Sequence, residues 1–345
     1  MLLNKVEEVS RLARKVLAGG TLSPQEAEIL ILLPDEATPF LLGWADIIRK
    51  YFRGTEVDLC AIVNARAGRC SEDCRFCAQA ARYRTSAPTY PLLPEEEILE
   101  RAKKAWGQGI KRFSLVTSGR DPGRDFSKII TVIARLKKEL PQLKLCASLG
   151  ALRLREARML KSAGLTRYHH NLEAAPSFFP EICSTHSYED RVATILTARE
   201  AGLEVCSGGI IGLGESPAQR VELSFALRDL GVTSVPVNIL HPIKGTPLFS
   251  TRPLPPLEIL RTLAVFRMVL PNATIRYAGG REHNLRDTQA LGLSGGVDGL
   301  ITGDYLTTQG QGTARDLKLI SDLGLKTQAV SLPSLEPRGD SAGER

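Results

Sequence analysis

Aromatic side chains are scarce, 6% of 345 residues, and the 45 Lys and Arg against 38 Asp and Glu form no long basic run. Surfaces that track nucleic acid combine clustered cations with aromatic stacking platforms, so no nucleic-acid partner is expected. The net charge of +7 suits small acidic ligands or an acidic protein equally well. No apolar run approaches the roughly 20 residues that cross a bilayer, so no membrane partner is expected either. No signal peptide is read, and "MLLNKVEEVSRLARKVL" is predicted to be an amphipathic helix. A disulfide framework wants an even count, and this chain has seven cysteines. The expected location is therefore cytoplasmic, where thiols stay reduced and clustered cysteines usually serve metals or catalysis.

What is present is concentrated. "RCSEDCRFC" places Cys70, Cys74 and Cys77 at a C-x3-C-x2-C spacing, and no further Cys or His follows nearby to complete a tetrahedral zinc site. An iron–sulfur cubane held by three thiolates leaves one iron open to a substrate or cofactor, which is the reading this spacing favours. A helical stripe is the alternative, since i, i+4 and i+7 share a face, but a core stripe would favour Leu or Ile and Gly68 starts a loop.

The chain also repeats one local pattern: a helix, then Gly with an apolar residue, then a short strand. It recurs at Gly109-Ile110, Gly164-Leu165, Gly202-Leu203, Gly231-Val232 and Gly296-Val297. Leu140-Pro141 and Leu270-Pro271 stop helices through proline instead. Eight strands are predicted: "DLCAIVNA", "KRFSLVTS", "LKLCASL", "RYHHNLE", "EVCSGGI", "SVPVNIL", "TIRYAGG" and "DGLITGD". Amphipathic segments at 95–107, 126–139, 153–162, 188–200, 217–229 and 256–269 separate them from position 95 onward. This alternation predicts an α/β (β/α)8 TIM-type barrel over 55–325, with an N-terminal helical extension at 1–54 and a disordered polar tail at 326–345. A doubly wound open sheet is the rival, because pattern alone does not show closure. Within the extension, Ser23, Pro24 and Glu26 form the signature of a helix start.

In a barrel of this type chemistry sits at the C-terminal strand ends. The three-cysteine loop, "GGIIGLGE" and the strand end "HHNLE" all fall there. The glycine-rich run would let a flat ligand approach the chain closely, or be an ordinary turn. With period 2, Asn171 and Glu173 share a face with His169, and His170 faces the other way. The His pair could bind metal or be satisfied polar residues at a strand end. Cys146, Cys206 and Arg276 lie inside strands; a buried Cys is often a small hydrophobe, but a buried guanidinium must be paired.

The motifs "CSEDCRFCAQ", "YHHNLE", "CSGGIIGLGE", "VPVNIL", "KGTPL" and "IRYAGGRE", in that order, resemble those of the radical S-adenosylmethionine (SAM) enzymes, the biotin synthase family in particular. The resemblance covers about residues 55–325. It implies insertion of sulfur into dethiobiotin to give biotin, with Cys70, Cys74 and Cys77 holding a [4Fe-4S] cluster whose open iron is chelated by SAM. Reductive cleavage of SAM would yield a radical that abstracts hydrogen from the substrate. It further implies SAM or substrate contacts at Asn171, Glu173, Arg191, Ile210 and Asn238, a flavodoxin- or ferredoxin-type electron donor and a homodimer. A second iron–sulfur cluster, [2Fe-2S] or a variant, would be the sulfur donor, with ligands mapping to Cys146, Cys206, Arg276 and a strand-2 position.

Here that strand-2 position is Ser114 rather than Cys. Cys60 and Cys183 remain as candidates to replace it. Counting back from the strand ends puts Cys60 and Ser114 at a similar depth, and Cys183 nearer the mouth. Alternatives are a hydrogenase-maturation or methylornithine-type radical SAM enzyme, which needs no such set inside the barrel, and a non-catalytic iron–sulfur carrier.

Overall fold

A computed structural model describes residues 2–327. Three helices lead: α1 (Leu2–Leu17), α2 (Pro24–Ile31) and α3 (Thr38–Arg53). Ser23 caps α2 as expected, its hydroxyl accepting from Glu26 N–H while the Glu26 carboxylate accepts from Ser23 N–H. The barrel then runs β1 (Glu56–Arg66), α4 (Glu95–Gly107), β2 (Arg112–Thr117), α5 (Phe126–Glu139), β3 (Lys144–Ser148), α6 (Leu154–Ser162) and β4 (Arg167–His169). It continues with α7 (Tyr188–Glu200), β5 (Glu204–Cys206), β6 (Gly209–Ile211), α8 (Pro217–Asp229), β7 (Ser234–Ile239), α9 (Pro256–Val269) and β8 (Thr274–Tyr277). Two short helices, α10 (Arg281–Leu285) and α11 (Gln289–Leu293), precede β9 (Gly299–Thr302), and α12 (Thr313–Asp322) and β10 (Lys326–Thr327) finish it.

All strand pairs are parallel, and β1 pairs with both β2 and β9. The sheet therefore closes on itself, which decides against the open doubly wound alternative, since an open sheet leaves two edges. β5 and β6 are halves of one barrel strand, interrupted at Ser207-Gly208, so eight strand positions surround the axis. The recurrent glycines end their helices with positive φ, 83° at Gly109 and 112° at Gly296 among them. The apolar residue after each is buried. β10 pairs with the start of β1, so the first two residues of the expected tail belong to the sheet. The rest of that tail, 328–345, lies outside the described residues.

Two strands differ from expectation. β4 stops at His169, not Glu173, and the fifth strand breaks where "CSGG" leaves the ladder. The first lies at the C-terminal rim, where chain leaves the barrel to build the mouth; the second lies within the barrel wall, level with Val235 and Pro236 of β7, and pairing resumes at Gly209.

The helical extension shares one hydrophobic core with the barrel helices. Polar anchoring adds to this. Asp298, just before β9 and fully buried, accepts from Arg267 of α9 at 2.5 Å, from Arg53 of α3 at 2.9 Å and from Ile275 N–H at 2.8 Å. Removing one partner of such a buried pair leaves an uncompensated charge, worth about 3–5 kcal/mol. Asp298→Ala is expected to lose about that much stability in urea unfolding of the cluster-free chain. An unfolding midpoint unchanged from wild type would show that the Asp298 cluster adds nothing to the stability of the fold.

Candidate active site

The C-terminal mouth of the barrel opens into a cavity of about 620 Å³, a size ordinary for small-molecule sites. Every site residue expected from the sequence lines it except Cys183.

The cysteine loop follows β1 and is irregular, not helical, so the stripe alternative does not hold. Its conformation is fixed from both flanks. Cys70 N–H donates to Gln79 C=O, Ala81 N–H donates to Cys70 C=O, and the Gln79 side chain accepts from Gly68 N–H at 3.1 Å. Arg69 takes a left-handed φ of 53° to make this turn. Cys70 and Cys77 are half-buried at the cavity wall and Cys74 is buried. Cys70, Cys74 and Cys77 line one cavity from a single loop, which fits a three-thiolate cluster, and Cys183 and His186 approach Cys74 from the segment after β4.

Deeper in the barrel the strand register orders the side chains. Hydrogen-bonded rows run Ile62–Ser114–Cys146–Arg167 across β1 to β4, His169–Cys206–Ser234 across β4, β5 and β7, and Pro236–Arg276–Gly299–Asp58 from β7 back to β1. In a barrel of this class the tilted rows drop about one residue per strand, so side chains meet in layers drawn from alternate strands. Cys60, Cys146, Cys206 and Arg276 fall in one such layer. Ser114 falls in the layer above, with His169, Pro236 and Ile301. Arg112 and Arg167 fall in the layer below. Cys60 and Ser114 are thus not at the same depth: Cys60 pairs with Arg112, and Ser114 pairs with Ile62. Counting from strand ends failed because β1 continues through a bulge after Asn64 to Arg66, which pairs with Thr117 at the end of β2, so Asn64 and Ser118 are not level.

The layer is electrostatically loaded. Arg276 donates to Asp58 Oδ2 at 2.8 Å and to the Asp58 and Leu300 carbonyls, which supplies the pairing its burial demands. Gly299 permits this, because a Cβ there would lie 3.1 Å from the Arg276 Cζ. Arg112 donates to Cys146 Sγ at 3.6 Å, while its Nε and the Arg167 Nη1 are buried without partners. Three guanidiniums thus face one buried carboxylate, Asp58, with Glu204 pairing Arg167 from the half-exposed floor. Burial pushes the Cys60 thiol up to about 12. Burial also opposes ionisation of Cys206, but His169, Arg167 and Arg276 outweigh it and bring the thiol down to about 6. The surplus of cationic groups and orphaned N–H donors fits an anionic, thiolate-held cluster in this layer.

Around the mouth, Asn171 is more committed to protein than expected. Its Oδ1 accepts from Gly208 N–H at 3.1 Å and its Nδ2 donates to Glu173 at 3.2 Å. Arg191, at the start of α7, donates to the Asn171 carbonyl at 3.0 Å and lies over the Phe179 ring. Glu173 has a φ of 69°, off the strand, so the period-2 alternation does not apply and His169 and His170 both border the cavity. Asn238 accepts from Gly279 N–H at 2.9 Å. Ile210 on β6 presents an apolar side chain to the same space. The glycines of "SGGI" serve chain packing: a Cβ on Gly208 would lie 1.9 Å from the Pro236 carbonyl oxygen, and one on Gly209 would lie 2.6 Å from that of Glu173.

Cys183 lies apart from the thiol layer, after β4, with its Sγ 3.8 Å from that of Cys74. Bonds from Cys74, His186 and Thr185 outweigh burial and hold its thiol at about 4. Sequence reasoning missed Arg112, Arg167 and Asp58. The signal used for Arg276, a guanidinium inside a strand, was available for Arg112 in "KRFSLVTS". His186, Glu72 and Asp73 carried no such signal, because their association is a contact between two loops far apart in the chain.

Residues 66–227 match the family model described as the Radical SAM superfamily, and residues 236–326 match the Biotin and Thiamin Synthesis associated domain. The fold is similar to that of methylornithine synthase, with a TM-score of 0.81 and 21% identity over 92% of this chain and 97% of that one. The FeFe-hydrogenase maturase HydG from Carboxydothermus hydrogenoformans is similar at a TM-score of 0.79 and 20% identity, covering 94% and 80%. These likenesses speak to fold alone. In sequence, the chain is 53% identical to the biotin synthase of Pelotomaculum thermopropionicum, over 92% of this chain and 98% of that protein. To the biotin synthase of Desulforudis audaxviator it is 71% identical, over 94% of this chain and 99% of that protein. With that identity along nearly its whole length, the chain belongs to the biotin synthase family.

Proposed function

We propose that this protein inserts sulfur into dethiobiotin to form biotin, in a radical SAM reaction whose sulfur comes from a second iron–sulfur cluster. Membership of the family implies a [4Fe-4S] cluster, SAM and dethiobiotin. One observation carries the reading to this chain's own residues: a three-thiol loop and a layer of three thiols with Arg276 border one cavity. Cys70, Cys74 and Cys77 would hold the first cluster. Cys60, Cys146 and Cys206, with Arg276 beside them, would hold the second. When bound, these groups and SAM supply hydrogen abstraction from an unactivated carbon and the sulfur atom, neither of which side chains can provide.

The chain's own work is positioning. Glu173 offers a carboxylate to hydroxyl or ammonium groups of SAM, and Asn171 and Arg191 hold that carboxylate in place. Ile210 provides an apolar surface for a flat base. Asn238 borders the cavity, its amide fixed by Gly279 N–H on one side and the Gly209 carbonyl on the other. Arg276 and Arg112 neutralise charge in the thiol layer. A barrel mouth covered by loops keeps water from a reactive intermediate.

A hydrogenase-maturation or methylornithine-type reaction shares the barrel but does not call for the thiol layer. The proposal is completed by a flavodoxin- or ferredoxin-type electron donor, for which the +7 charge is of suitable sign. A cytoplasmic location accords with seven unpaired cysteines. A homodimer rests on the family resemblance alone. The domain reading is a helical extension to residue 54 and a barrel to about 327.

Three measurements check this reading. Reconstituted Cys74→Ala protein is expected to form no 5′-deoxyadenosine from SAM and reductant; cleavage at the wild-type rate would remove the three-thiol loop from the mechanism. Iron content and Mössbauer spectra are expected to show loss of the second cluster in Cys60→Ala and its retention in Ser114→Ala and Cys183→Ala. Loss in the Ser114 or Cys183 variant with retention in the Cys60 variant would reassign the ligand. Asn171→Ala orphans the Gly208 N–H and frees Glu173, so joint binding of SAM and dethiobiotin should weaken about 10- to 100-fold with both clusters retained. Unchanged affinity in equilibrium binding would contradict the positioning role.

A further inference from the structure

Beside the three-thiol loop lies a second donor set that the sulfur-insertion reading does not use. Cys183 and His186 stand in the segment between β4 and α7, and Cys74 reaches them from the loop after β1. One donor atom from each of the three lies within 4.8 Å of the other two.

Two of the three separations are close to those of a tetrahedral metal site, and the third lies within 4.8 Å. Two thiolates each about 2.3 Å from one tetrahedral ion stand about 3.8 Å apart, and an imidazole nitrogen at about 2.0 Å stands about 3.5 Å from either sulfur. The Cys74 and Cys183 sulfurs are 3.8 Å apart, and His186 Nε2 is 3.8 Å from Cys183 Sγ. The other ring nitrogen, Nδ1, is 3.2 Å from Cys183 Sγ and 2.5 Å from Glu72 Oε2. A carboxylate accepting from the distal ring N–H is the usual support of a metal-bound histidine. Glu72 is itself held by Thr185 at 2.7 Å. Asp73 ties the two loops together, accepting from Ser184 N–H at 2.9 Å and Thr185 N–H at 3.2 Å. Glu72, Cys74 and His186 border the cavity, so an ion has a way in and a fourth coordination position can face solvent.

We propose that, when the three-thiol loop carries no cluster, Cys74, Cys183 and His186 bind a single tetrahedral divalent transition-metal ion, of the class of ferrous iron or zinc. Two sulfurs and one nitrogen are the donor set such ions prefer. Cys74 belongs to both sites, so occupancy here and a cluster on Cys70, Cys74 and Cys77 exclude one another. Bound ferrous iron would stand next to the place where iron is needed, and bound zinc would block it. The site does not depend on the assigned reaction, and its test reads no turnover.

The full-length chain, stripped of metal and kept reduced and anaerobic, is titrated with Co²⁺ alone. One equivalent is expected to produce thiolate-to-cobalt charge-transfer absorption and the intense visible bands of tetrahedral cobalt. Cys183→Ser and His186→Gln, each checked for folding by circular dichroism, should lose the tetrahedral spectrum. Cys70→Ser and Cys77→Ser should keep it. Glu72→Gln should bind about 10- to 100-fold more weakly. A spectrum that survives in the Cys183 and His186 variants but disappears in the Cys70 and Cys77 variants would place cobalt on the three-thiol loop and overturn the proposal. Failure of the wild-type chain to bind one equivalent would overturn it equally.

Discussion

The ion pair between Arg276 of β8 and Asp58 of β1 reaches across the closing seam of the barrel, and the chemistry proposed for this protein is stacked upon it. Arg276 is fully buried, with its guanidinium held by the Asp58 carboxylate and by carbonyls of β1 and β9. A lone guanidinium at that depth would be strongly unfavourable, and the pair is tolerable because every one of these bonds is made in a dry interior. The same contact sets the height at which Arg276 meets Cys60, Cys146 and Cys206. Asp58 in turn stays ionised: burial opposes its charge, but Arg276, Arg112 and Arg167 together outweigh that and hold its carboxyl below the ordinary value.

Above this floor the protein separates two kinds of thiol. Cys60 and Cys146 are pushed up by burial, whereas Cys206, beside His169, is brought down. Cysteines buried only as small hydrophobes would not need one guanidinium beside them and two beneath, the latter two with unpartnered N–H groups. At the mouth the logic is different. There the polar side chains are largely satisfied by protein, and Asn171, Glu173, Arg191 and Asn238 form a frame fixed in advance, which lowers the cost of ordering a ligand.

Much of this was legible in the chain. Helix ends at Gly-apolar pairs, eight strand segments and the irregular cysteine loop follow from local chemistry: left-handed glycine, period-2 burial, and the number of thiols a metal demands. Identity of the inward residues was legible too, because Cys and Arg within strands are unusual for a core. Their relative depth was not. A one-sequence count does not see the bulge that shifts β1 against β2 after Asn64, nor the tilt of the rows around the axis.

The sequence by itself determined the element order, the three-thiol loop and the set of thiols inside the barrel, since each is written in neighbouring residues. Only the tertiary structure decided that the sheet closes, that Cys60 joins Cys146, Cys206 and Arg276 while Ser114 stands a layer higher, and that Cys183 faces Cys74. These are properties of strand register and of contacts between residues as far apart as Cys74 and Cys183, which lie 109 positions from each other. Such contacts follow from how the whole core packs, and no local pattern encodes them.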